Sequence, residues 1–165
     1  GLRETKPAWT VYVDSLIAMD SVRIAEGGPL ANLYVQDAPH RARMIRDSIN
    51  HHLQHGKVFL RAELPDHLHY RKDPRAGDVV VVMDDHWTIG SRAARDGANH
   101  GWDPTLPSMH ALFVASGPGI PKGKTIPSFE NVDLYPFMTE ILGLKNAPGI
   151  DGKSGRLKSL IAKAR

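Results

Sequence analysis

Val79-Val80-Val81-Val82-Met83 is apolar at five consecutive positions. A strand with one wet face alternates apolar and polar residues, so an unbroken run implies cover on both faces, as in the interior of a parallel sheet flanked by helices. Ala111-Leu112-Phe113-Val114-Ala115 repeats the pattern, opened by His110 and closed by Gly117-Pro118-Gly119. Farther on, Asp133 stands where a helix N-cap would, with Pro136 in the first turn and Gly143 at the end. That leaves Leu134, Phe137, Met138, Ile141 and Leu142 for a core. Strand, strand and helix of this kind predict part of a doubly wound α/β sheet whose other strands lie outside this sequence.

The first third has a different grain. Trp9-Thr10-Val11-Tyr12-Val13, Val22-Arg23-Ile24, Ala31-Asn32-Leu33-Tyr34-Val35 and Lys57-Val58-Phe59-Leu60-Arg61 carry the β-branched and aromatic content of strands, with a turn at Gly27-Gly28-Pro29. Ala42, Ile45, Ile49 and Leu53 recur at helical spacing, with Asp37 as N-cap, Pro39 in the first turn and Gly56 as the stop. A small α/β lobe is expected over residues 8–63. Leu64 to Asp78, rich in Pro, Asp, Arg and His, is expected to cross from the lobe to the main body. The predicted division is therefore 1–76, lobe and crossing segment, and 77–165, the C-terminal part of a larger core.

A chain of 165 residues buries roughly 70% of its unfolded surface, enough for one core or a core with a small lobe. No apolar run approaches the ~20 residues of a membrane-spanning helix. The first seven residues have no apolar centre of the kind a signal peptide needs. Without cysteine, a transition-metal site has only His, Asp and Glu to draw on. The net charge of +3 is scattered apart from Arg41, Arg43 and Arg46 and the terminal stretch Arg156 to Arg165, so solvated faces explain it and nucleic-acid binding is not expected.

The stretch with most chemical content runs Gly97-Ala98-Asn99-His100-Gly101-Trp102-Asp103-Pro104-Thr105-Leu106-Pro107-Ser108-Met109-His110. Glycines on either side of His100 and two prolines after it suit a rigid, irregular loop able to hold an imidazole toward a metal. This His-Gly-aromatic-Asp loop, followed by Pro-Ser-Met, resembles the late histidine motif of the nucleotide pyrophosphatase/phosphodiesterase family of the alkaline phosphatase superfamily. Leu64-Pro65-Asp66-His67-Leu68-His69-Tyr70, Pro74-Arg75, Met83-Asp84-Asp85-His86-Trp87-Thr88-Ile89 and Phe129-Glu130-Asn131-Val132-Asp133-Leu134-Tyr135-Pro136 through Leu142-Gly143-Leu144 resemble family segments in the same order.

The resemblance implies the C-terminal part of an alkaline-phosphatase-like catalytic domain in which His100 is a zinc ligand. Two zincs roughly 4 Å apart then clamp the attacking and leaving oxygens of a displacement at phosphorus. The family's threonine nucleophile, an early aspartate and an Asp-His-Gly motif precede the segment that begins here, and Gly1-Leu2 matches the tail of that motif. It further implies a phosphodiester or nucleotide substrate, a periplasmic or extracellular location and the missing N-terminal part of the same protein as partner. Animal members being cysteine-rich, it points to a bacterial source. The fragment itself is expected to be inactive.

Other histidines invite weaker readings. Asp84-Asp85-His86 follows a strand like a metal site, yet falls on a family segment that does not ligate metal. His51, His52 and His55 close a helix, where the dipole attracts positive charge without any metal. His67 and His69 read as surface or interface residues. Asp103 either orients His100 or forms the turn before Pro104. From another class, the alternative is a non-catalytic binding module whose basic patches take an acidic partner.

Overall fold

The computed structural model describes residues 1–25, 27–38, 40–90 and 96–161. The predicted place of Pro39 in a helix and the end of the basic stretch at Arg165 lie outside these. The chain divides into two compact units, Gly1–Ala111 and Leu112–Arg165.

The first unit is organised on a four-stranded sheet of β3 (Val22–Ala25), β4 (Leu30–Val35), β6 (Val79–Met83) and β5 (Gly56–Leu60), in that spatial order and antiparallel throughout. Helix α1 (His40–His52) buries Ala42 and Ile49 in one cluster with Leu33, Val58, Val79, Val81 and Met83, and the half-buried Ile45 and Leu53 pack against it. This is the predicted apolar stripe of the helix. Asp37 is not its cap: it takes a left-handed turn with φ 60°. Gly56 opens β5 rather than simply ending the helix.

The other face of the sheet is covered by the crossing segment. Asn32 and Val80 are cross-strand partners and therefore share a face. The Asn32 carboxamide oxygen there accepts hydrogen bonds from Gly77 N at 2.8 Å and Tyr70 Oη at 3.2 Å. Gly77 has no room for a side chain, since an added Cβ would lie 2.8 Å from Leu33 N. Tyr34 Oη donates to Arg75 O at 2.7 Å, and Val35 N donates to the Asp78 carboxylate at 2.9 Å.

Val79–Met83 is thus buried on both faces as its composition demands, but between antiparallel neighbours, not inside a parallel sheet. Periodicity reports cover and carries no strand direction. The expected boundary between residues 76 and 77 consequently runs just ahead of a strand of the same sheet. Two short ladders complete the unit: β1 (Arg3–Thr5) antiparallel to β8 (Gly97–Asn99), and β2 (Thr10–Tyr12) parallel to β7 (Thr88–Gly90).

In the second unit, α2 (Leu134–Ile141) follows a short 3-10 turn, and Phe137 joins Leu157 and Leu160 in a cluster lined by Phe113, Phe129 and Leu134. Gly143 takes the left-handed φ of 66° at the helix end, where Gly143 N and Leu144 N donate to Glu140 O and Thr139 O. Asp133 is buried but makes no side-chain cap. Its carboxylate instead accepts from Lys153 N at 2.8 Å and pairs with Arg156 at 3.4 Å. Ala111–Ala115, expected as a strand, pairs with no strand among the described residues, and Leu112 and Val114 are 91% and 77% exposed. An extended segment without a neighbour has no ladder to enter.

Candidate metal-binding loop

His100 lies just past β8, with its backbone N–H donating to Asn99 Oδ1 at 2.8 Å. Its ring is exposed and has no hydrogen-bond partner among the described residues. Gly101 follows in the left-handed region, φ 102°. Trp102 is then almost fully buried, 2% exposed, and its indole N–H donates to Trp87 O at 2.9 Å. The turn to Pro107–Met109 is closed by Leu106 N to Asp103 O and Met109 N to Leu106 O. A free imidazole is therefore held out by a backbone pinned on both sides.

Asp103 does not touch His100. One carboxylate oxygen accepts from Thr105 N at 2.9 Å and Thr105 Oγ1 at 2.6 Å, and the other meets His67 Nε2 at 3.0 Å. Partial burial alone would raise this carboxyl's pKa, but the Thr105 and His67 hydrogen bonds outweigh it and hold the pKa below the ordinary 3.8. Of the two sequence readings of Asp103, the turn is the one its contacts support, with His67 as an unforeseen second partner.

The other wall of the loop is the chain start. Arg3 pairs with Asn99, so carrying the register one residue back sets Leu2 opposite His100. The Gly1 amine donates to Met109 O at 3.4 Å, and a Cβ on Gly1 would fall 1.7 Å from Ser108 O. Gly28, at φ 131°, bridges Ile89, and a Cβ there would meet Asn99 Nδ2 at 2.7 Å. Glycine at both positions is a condition of this packing.

The sequence profile of the type I phosphodiesterase / nucleotide pyrophosphatase family matches residues 1–103. This chain belongs to that family. The human bis(5'-adenosyl)-triphosphatase ENPP4 is 36% identical over 108 residues, which are 65% of this chain and 24% of the relative. The venom phosphodiesterase CdcPDE of Crotalus durissus collilineatus is 37% identical over 115 residues, 66% of this chain and 13% of that protein. Solved structures share the fold: human ectonucleotide pyrophosphatase / phosphodiesterase 5 superposes with a TM-score of 0.85 at 21% identity, covering 98% of this chain and 43% of the other. An inactive variant of the murine protein, in complex with AMP, gives 0.86 at 22% identity, with the same coverage. The chain spans about a quarter or less of the length of these curated relatives. The architecture is α/β and alkaline-phosphatase-like.

Within this family fold the remaining acidic and imidazole groups are spread out. The carboxylate of Asp85 takes Arg3 Nε at 3.2 Å and Nη2 at 2.6 Å. His86 turns left-handed, φ 71°, with its ring edge-on to Trp9, and Asp84 O closes the turn by accepting from Trp87 N. His55 stacks on Trp87 with centroids 3.6 Å apart, and His52 Nδ1 lies 2.9 Å from Ser48 O. His51 meets His52 edge-on. No group of three or more His, Asp or Glu side chains converges among the described residues. Sequence reasoning missed Asn99, Trp87, Trp102, Gly28 and the His67 contact. Trp102 and Gly28 were visible as a lone aromatic inside a polar loop and a Gly-Gly pair; the His67 contact spans 36 residues and left no local trace.

Proposed function

We propose that this chain is the C-terminal part of the catalytic domain of a zinc-dependent phosphodiesterase/nucleotide pyrophosphatase, and that His100 is a ligand to one of its two zincs. The observation that carries this reading is the uncommitted, exposed His100 ring on a loop pinned at Asn99, Trp102 and Asp103. The residues fit the group: a neutral imidazole is a standard zinc donor, and among the described residues no hydrogen-bond partner engages the His100 ring. When bound, a zinc pair supplies charge stabilisation for the attacking and leaving oxygens at phosphorus.

What the chain contributes is placement. Asn99 fixes the backbone entering His100, Gly101 gives the reversal, and buried Trp102 stops the loop from swinging. The nucleophile and the other ligands then belong to the longer protein, as does the covalent phospho-threonine intermediate. Support for a threonine comes from the murine relative, which is inactive with one threonine replaced by alanine. Substrates of the intact enzyme are phosphodiesters or nucleotide pyrophosphates, in keeping with the activities named for its relatives. A periplasmic or extracellular location follows from the same family. Among the described residues, no helix is long and apolar enough to cross a membrane.

The test is an assay of this chain with a chromogenic phosphodiester, with and without zinc, beside metal analysis after dialysis. The expected result is hydrolysis no faster than zinc buffer and well under one zinc per chain, because one imidazole is a small fraction of a tetrahedral site. Chelator-sensitive turnover, or a tightly held stoichiometric zinc, would overturn it.

A further inference from the structure

His100 is flanked by two anchors of different kinds. Behind it, β8 is hydrogen-bonded to β1. Ahead of it, Gly101 offers a flexible joint, and an added Cβ there would meet nothing within 4 Å. The bearing of the ring therefore depends on how firmly Trp102 and Asp103 are held. Trp102 is fixed by burial and by the Trp87 carbonyl. Asp103 satisfies one oxygen locally, on Thr105, and gives the other to His67. That second contact ties the loop to the crossing segment, 36 residues away.

We infer that His67 is a positioning residue for the metal loop, holding His100 in place through Asp103. The inference rests on the reading of His100 as a zinc ligand. His67 sits on the 3-10 turn Asp66–Leu68 and is 39% exposed. The charged group facing it from the loop is Asp103. On its own turn Asp66 is engaged by Arg71, so the neighbouring carboxylate is already spoken for. Neutral His67 gives Asp103 a hydrogen bond; protonated His67 gives it an ion pair, which is the stronger tie.

Two variants and two measurements test this. In the intact enzyme, zinc affinity by chelator competition should drop roughly threefold to tenfold in His67→Ala. That is less than the loss of about 10–100-fold when a direct partner of a metal ligand is removed. His67→Arg should restore affinity, because a guanidinium also donates to the Asp103 carboxylate. In the metal-free chain, the Thr105 amide resonance should shift in His67→Ala and return toward its parental position in His67→Arg. Parental affinity in His67→Ala, or a Thr105 amide unmoved by that substitution, would overturn the inference. Parental affinity in His100→Ala would instead overturn the ligand reading beneath it.

Discussion

In Gly1–Ala111 the largest core side chains, Leu33, Ile49, Leu64 and Ile89, are fully buried. In Leu112–Arg165, Leu112, Val114, Leu142 and Leu144 are all more than 60% exposed. The first unit closes on itself because β6 has strands on both edges, α1 on one face and the Asn32–Gly77–Tyr70 contacts on the other. The second keeps a small cluster around Phe137, with Ile120 and Ile126 packed against it, and leaves Leu112, Val114, Leu142 and Leu144 open. The difference teaches that an apolar run specifies burial only where neighbours exist to bury it. Val79–Met83 has them; in Ala111–Ala115 Phe113 meets Phe129 and Phe137, while Leu112 and Val114 stay exposed.

The contrast can be broken most sharply by core truncation. Leu33→Ala should cost about 2–5 kcal/mol, because the closed core can refill little of the space. All three tryptophans, Trp9, Trp87 and Trp102, lie in the first unit, so tryptophan fluorescence in a urea titration reads that unit alone. Leu112→Ser should leave the same curve within about 0.5 kcal/mol. Equal losses from the two substitutions would erase the distinction.

A smaller effect belongs to Asp133, the polar anchor of the second unit. Asp133→Ala leaves Lys153 N–H without its acceptor and Arg156 with Glu130 alone, and should cost that unit about 1–3 kcal/mol. Amide hydrogen exchange of residues 134–141 should speed up while tryptophan fluorescence stays unchanged. Loss of protection in β6 as well would show that the two units unfold together.

Smaller still is a pH effect confined to the loop. The folded Asp103 carboxyl sits below its ordinary 3.8, so its contribution is complete above that value and is lost as pH falls through the lower folded one. The Thr105 amide should lose its exchange protection there before β4 or β6 loses theirs. Simultaneous loss would make the loop part of the global transition.

The lobe was largely legible. β3 to β6 and α1 fall where β-branched runs and the Ala42, Ile45, Ile49, Leu53 stripe put them. What escaped depends on partners remote in sequence. Strand direction in β6 comes from β4 and β5, not from its own valines. β1, β7 and β8 are three residues each and gain their shape from pairing alone. Asp133 looked like a cap because its spacing to Pro136 suits one, and nothing near it announces Lys153. At the loop, His100 was marked by its glycines and prolines, whereas Asp103's choice of His67 over His100 is tertiary geometry.

In the proposed function His100 takes a catalytic zinc and His86 does not, although both follow strands. The direct measurement is zinc content, turnover and melting temperature of His100→Ala and His86→Ala in the intact enzyme, side by side. His100→Ala should lose nearly all phosphodiesterase activity and part of its zinc with little change in melting temperature, while His86→Ala stays close to the parent in all three. Near-normal zinc and activity in His100→Ala, or a folded but inactive His86→Ala, would contradict the account.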